Sequence, residues 1–179
     1  LFVGEGLHDT HHARLYKFSL ASGFFEGALA TKGHIEGETA AGKVGERDVL
    51  VVPTGADGLR AFDSHTLTEL WHAEDGHVDG APLVNEGVLY SGTGIEKENP
   101  GKLKGSAVAY DLLSGRKLWQ RELPASSWMQ PVVAGEKVCF VFGEVYFASD
   151  LGGVFCFRKK DGEPDVAYNH AGPVAAKPL

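Results

Sequence analysis

One pattern returns four times along this chain, and it limits the fold more than any other feature: apolar strand, connection, second apolar strand, tight turn. The second strand reads Leu15-Tyr16-Lys17-Phe18-Ser19, then Leu59-Arg60-Ala61-Phe62-Asp63, Ala107-Val108-Ala109-Tyr110-Asp111 and Val154-Phe155-Cys156-Phe157-Arg158. From Phe18 to Phe62, Tyr110 and Phe157 the steps are 44, 48 and 47 residues. Each copy begins with an opening strand, at Leu1 to Gly4, Val49 to Pro53, Val88 to Gly92 and Val138 to Phe142. Short Val-, Leu-, Phe- and Tyr-rich runs between Gly, Asp, Ser and Asn clusters, with no 3.6-residue period, predict an all-β chain.

After the second strand, Ser22-Gly23, Ser114-Gly115 and Asp161-Gly162 supply a residue suited to positive φ, whereas the second copy has Thr66-Leu67. Four residues beyond stand Trp71 and Trp119, matched by Gly27 and Val166 in the first and last copies. The last strand of each unit is expected at Thr39-Ala40-Ala41, Pro82-Leu83-Val84, Pro131-Val132-Val133 and Pro173-Val174-Ala175. Proline donates no ladder hydrogen bond, so it suits a strand start or a sheet edge, such as the innermost strand of a propeller blade. The repeats run approximately over 1–48, 49–87, 88–137 and 138–179, within a single partial β-propeller domain spanning 1–179.

The formal net charge of -7 argues against nucleic acid, whose binding needs clustered Lys and Arg. The longest apolar stretch, Val138 to Ala148, is too short for a helix across a bilayer and is broken by Gly143 and Glu144, so no membrane span is expected. No signal peptide or initiating Met stands at Leu1, and the chain is expected to start within a longer precursor. Cys139 and Cys156, the only cysteines, flank a predicted hairpin symmetrically; two buried free thiols are the favoured reading and a bond across the hairpin the other.

Segments such as Val108-Ala109-Tyr110-Asp111-Leu112-Leu113-Ser114-Gly115-Arg116-Lys117-Leu118-Trp119 resemble the PQQ-like, quinoprotein-type β-propeller repeat, and the resemblance extends over essentially the whole chain. It implies four-stranded antiparallel blades, about four of them, forming an open arc of a seven- or eight-bladed ring, with Trp71 and Trp119 docking between neighbouring blades. It also implies a periplasmic or otherwise extracytoplasmic setting. An arc leaves two apolar blade faces open, and about 500 Å² left wet on each would forfeit on the order of 12 kcal/mol. Further blades from the same longer chain are therefore expected, or a second copy closing an eight-bladed ring.

Just before the expected inner strands, His34-Ile35-Glu36-Gly37 and His77-Val78-Asp79-Gly80 occupy equivalent places, and the third copy has Ser126-Ser127-Trp128-Met129. On a propeller these places lie at one mouth of the central channel, so His34, Glu36, His77, Asp79 and Trp128 form the candidate ligand site, suited to a metal ion or a flat anionic ligand. The simpler alternative is a set of turn residues bonded to local backbone. His8, His11 and His12 form a second, weaker metal candidate, lacking a spaced fourth ligand. The long segment Gly94 to Gly105 and the segment Val145-Tyr146-Phe147, with its two aromatics, are candidate partner contacts.

No G-x-S-x-G, phosphate loop, H-E-x-x-H or C-x-x-C motif is present, and neither is the adjacent Cys pair that the resemblance would bring to a quinoprotein dehydrogenase. The expected function is thus a non-catalytic binding or scaffold propeller, without cofactor, holding a protein or glycan partner. The alternative is a quinoprotein-like or metal-binding oxidoreductase with PQQ and Ca or another metal ion at the channel mouth.

Overall fold

A computed structural model of the chain describes residues 1–7, 10–94, 105–144 and 150–172. These residues form strands, turns and connections, without a helix, so none is long and apolar enough to cross a membrane. The first sheet contains β1 (Phe2–Gly4), β2 (Ala13–Phe18) and β3 (Phe25–Thr31). The second contains β4 (Ala40–Val44), β5 (Arg47–Pro53), β6 (Leu59–Asp63) and β7 (Glu69–Ala73). β8 (Leu83–Asn85), β9 (Val88–Thr93), β10 (Ser106–Asp111) and β11 (Lys117–Glu122) make the third. The fourth is β12 (Val132–Ala134), β13 (Lys137–Gly143), β14 (Leu151–Arg158) and β15 (Pro164–Ala171). Every pairing joins consecutive strands in antiparallel register, giving the blades of a partial β-propeller.

The sheet and the sequence repeat are offset by one strand. Ala40, at the end of the first sequence unit, pairs with Val51 of the second, and Val132 likewise pairs with Cys139. These short leading strands lie side by side: a Cβ placed on Gly42 of β4 would come within 2.6 Å of Val84 in β8. The last sequence unit's expected inner strand, Pro173-Val174-Ala175, lies outside the described residues, as do residues 95–104 and Val145-Tyr146-Phe147.

Between successive sheets lie three apolar cores. Leu15, Ile35, Leu50, Val52 and Phe62 fill the first junction. Val49, Val51, Trp71, Leu89, Val108 and Tyr110 fill the second, and Tyr90, Trp119, Phe140, Phe142 and Phe157 the third. β5 is buried from Val49 through Pro53 because a blade covers each of its faces, so its sequence is continuously apolar rather than alternating.

Two indoles close the second and third junctions at the outer rim. Trp71 stacks on Tyr110 with centroids 5.9 Å apart, and its Nε1 donates to the Leu112 carbonyl at 2.9 Å. Trp119 donates to the Lys159 carbonyl at 2.9 Å and packs against Phe157. Each indole lies over the turn glycine of the following blade. A Cβ on Gly115 would stand 2.5 Å from Trp71 Cγ, and one on Gly162 would stand 2.6 Å from Trp119 Cδ2.

The expectation of two free thiols is overturned: Cys139 and Cys156 form a disulfide, S–S 2.06 Å. The register of β13 on β14 sets them directly opposite one another, which the symmetry of the hairpin made possible and the pairing made real.

Candidate functional site: a buried row of imidazoles, acids and indole

At one end of the sheets, the chain leaves the last strand of a blade and crosses to the first strand of the next. These crossings carry His34, His77 and Ser126, and they are stitched to neighbouring strand ends through the backbone. Val78 and Gly55 exchange hydrogen bonds at 2.9 and 3.1 Å, Gly94 N donates to the His77 carbonyl at 2.8 Å, and Gly143 N donates to the Ser126 carbonyl at 2.9 Å. The side chains are thereby held in a fixed order from blade to blade.

Asp79 is the centre of that order. Its Oδ1 lies 2.8 Å from Nε2 of His34 and 2.8 Å from Nε2 of His77, with all three side chains between 5% and 7% exposed. Burial works against ionising Asp79, but the hydrogen bonds from the two imidazoles outweigh it and hold the carboxyl down at about 2. An ionised carboxylate only accepts, so both Nε2 atoms carry the hydrogen and donate. His34 and His77 come from successive crossings, and Asp79 therefore ties one to the other.

The row continues through aromatic contact. His77 meets the edge of Trp128 with centroids 5.8 Å apart, and Trp128 Nε1 donates to Glu144 Oε1 at 3.3 Å. Ser126 Oγ donates to Glu144 Oε2 at 2.7 Å. Two close approaches require glycine. A Cβ on Gly55 would sit 2.5 Å from His34 Cε1, and one on Gly94 would sit 1.9 Å from Trp128 Cη2. Where the second crossing has Asp79 to receive His34, the third has Trp128 to receive His77. The polar clasp becomes an aromatic one.

Of the five residues expected at this site, the structure brings together His34, His77, Asp79 and Trp128. Glu36 stands apart, exposed at the edge of an open depression of about 590 Å³ that Gly4, Glu5, Gly6, Leu7 and Ile35 also line. Glu144 belongs to the row and was missed, although an acid directly after an apolar strand and a glycine was a usable signal. Of the second cluster, His8 lies outside the described residues, while His11 and His12 are exposed before β2 and join no ligand group among the described residues.

Two groups of described residues present ligand atoms within 4.8 Å of one another: His34, His77 and Asp79, and separately Asp57, His72 and Glu74. The second is already engaged. Asp57 pairs with Arg60 Nε at 2.6 Å, and His72 Nε2 lies 2.6 Å from the Asp57 carbonyl oxygen as its donor.

Comparison with known proteins agrees with this architecture. A family model described as outer membrane protein assembly factor BamB, of the PQQ-like repeat type, matches residues 24–144. No curated protein sequence matches the chain. Among solved structures, a europium-containing methanol dehydrogenase is similar over 96% of this chain and 40% of its own length, with TM-score 0.71 and 14% identity. BamB from Moraxella catarrhalis is similar over 87% of this chain and 46% of its own, with TM-score 0.62 and 21% identity. Quinohemoprotein alcohol dehydrogenase from Comamonas testosteroni is similar over 90% and 32%, with TM-score 0.67 and 15% identity. The chain thus spans less than half the length of each, and identities this low establish the fold alone. With roughly two thirds of its residues matched by the family model, the chain belongs to the BamB-type PQQ-like repeat family of β-propellers.

Proposed function

We propose that this propeller is a non-catalytic binding module that holds a protein partner. The observation that carries the reading is the state of the polar row. His34 and His77 are buried and engaged with Asp79, and buried Glu144 is engaged with Ser126 and Trp128, so they act as ties and offer little surface to a substrate. What the first blade does offer is apolar: Leu20, Phe24 and Phe25 are 82%, 75% and 60% exposed around one turn. Such a patch suits a protein better than a glycan. Further blades, from a longer chain or a second copy, would cover Val3, Val166 and Tyr168. The disulfide supports an extracytoplasmic, periplasm-like setting, because such bonds persist where thiols are not kept reduced.

Photocrosslinkers placed at Phe24 and Phe25 in the source cell should trap one discrete protein adduct that a crosslinker at Ser114 does not. A ladder of adducts equal at all three positions would refute the proposal. The oxidoreductase reading is favoured by the likeness to the europium-containing methanol dehydrogenase together with the His34–His77–Asp79 ligand group. Saturable PQQ binding with alcohol-dependent dye reduction in the presence of calcium or another metal ion would establish that reading in place of the first.

A further inference from the structure

We propose that His34, His77 and Asp79 bind one divalent transition-metal ion of the zinc class, which clamps the first inter-blade crossing to the second. The donor set is two imidazole nitrogens and one carboxylate oxygen, brought within 4.8 Å of one another. Imidazole suits zinc, copper, nickel and cobalt, whereas calcium and magnesium prefer shells of oxygen. The class of ion follows from the ligands alone.

The site is built before any ion arrives. His34 packs against the backbone of Gly55, where a Cβ would come within 2.5 Å of its ring. Trp128 backs His77, and the carbonyl of Asp79 is packed against Gly37 of the preceding crossing, where a Cβ would come within 2.4 Å. The Nε2 to Oδ1 separations are 2.8 Å. Around a tetrahedral ion at about 2.1 Å the same atoms would stand roughly 3.4 Å apart, so an outward shift of about half an ångström admits the metal.

On binding, the hydrogen on each Nε2 is displaced to Nδ1 or to solvent and the Nε2 lone pair goes to the metal. The carboxylate supplies the negative charge, and the three protein ligands leave a fourth position for water. With the ligand side chains 5% to 7% exposed, the ion is placed to hold two crossings together. The clamp goes beyond the binding-module reading, which does not depend on it.

The test uses the whole chain, stripped with chelator and titrated with zinc. One ion per chain should survive gel filtration, with a rise in thermal midpoint that chelator reverses. Cobalt in its place should show the visible absorption of a tetrahedral site. His77→Ala should abolish both the retained ion and the midpoint rise; Asp79→Asn, nearly the same size, provides the second variant should His77→Ala fail to fold. His72→Ala and the pair His11→Ala with His12→Ala should leave binding unchanged. A folded wild-type chain that retains no ion overturns the proposal, as does an ion retained by folded Asp79→Asn or lost with His72→Ala.

Discussion

The first blade junction and the two that follow solve the same packing problem with the large residue on opposite sides. At the second and third junctions, Trp71 and Trp119 project from the leading blade onto Gly115 and Gly162 of the next. At the first junction the leading blade has Gly27 in the tryptophan place, and the following blade has Leu67 in the glycine place. Leu67 takes the left-handed conformation, φ 60°, that Gly23, Gly115 and Gly162 take at the corresponding turns. Its Cδ1 lies 3.7 Å from where a Gly27 Cβ would be. A junction of this kind therefore needs one bulky side chain over one bare backbone, and either blade can supply the bulk. What is lost at the first junction is the indole hydrogen bond. Lys17 Nζ, donating to the His65 carbonyl at 3.1 Å, provides a more exposed polar tie there.

If the indoles dominate their junctions, Trp119→Ala should be the most damaging change, about 3–5 kcal/mol in urea unfolding, since a buried indole and its hydrogen bond go together. Leu67→Ala, at a half-buried position, should lose far less. A Trp119→Ala loss no larger than that of Leu67→Ala would dissolve the distinction between the junctions.

The glycines give a matched pair within the same comparison. Gly115→Ala combines φ 69° with a clash against Trp71, whereas Gly23→Ala, at φ 74°, meets open space. The first should destabilise by more than about 2 kcal/mol and the second by about 1 kcal/mol. Equal denaturation midpoints would mean that Trp71 does not press on the turn.

The disulfide lies within the fourth blade rather than between blades, across a sequence separation of 17. Its removal by Cys139→Ser with Cys156→Ser should cost about 3 kcal/mol. Hydrogen exchange should quicken first in β13 and β14, leaving the first junction unaffected.

Alkali should also reach the third junction. Burial, with Glu86 and Glu136 nearby, pushes the Tyr90 phenol from 10.0 up to about 12. A raised phenol leaves stability intact below pH 10 and withdraws it as pH climbs through 12. Tyr90→Phe should flatten that decline in a pH series of unfolding midpoints.

The smallest effect sharpens the comparison most. Gly27→Trp with Leu67→Gly would rebuild the indole-over-glycine arrangement, and the two changes should be favourable together by about 1 kcal/mol relative to their sum. Additive singles would show that the two positions do not face one another in solution.

Much of this was legible in the chain. Leu59 to Asp63 reads as a strand and is β6, because short apolar runs between turn formers have few other uses. His34, His77, Asp79 and Trp128 could be grouped because repeat arithmetic places equivalent residues at one end of equivalent blades. Glu36 fitted the arithmetic equally well and points elsewhere, since equivalence along the chain fixes a backbone position and leaves side-chain direction open.

The sequence by itself determined the all-β class, the fourfold recurrence and the turns, all of which depend on neighbours within a few residues of one another. Tertiary structure decided the rest: which thiols meet, which side of a junction carries the bulk, and which acid receives two imidazoles. Those outcomes depend on register between strands and on contacts between residues 40 or more positions apart, such as His34 with Asp79 and Trp71 with Leu112. Local preference carries no information about such pairs until the blades are packed.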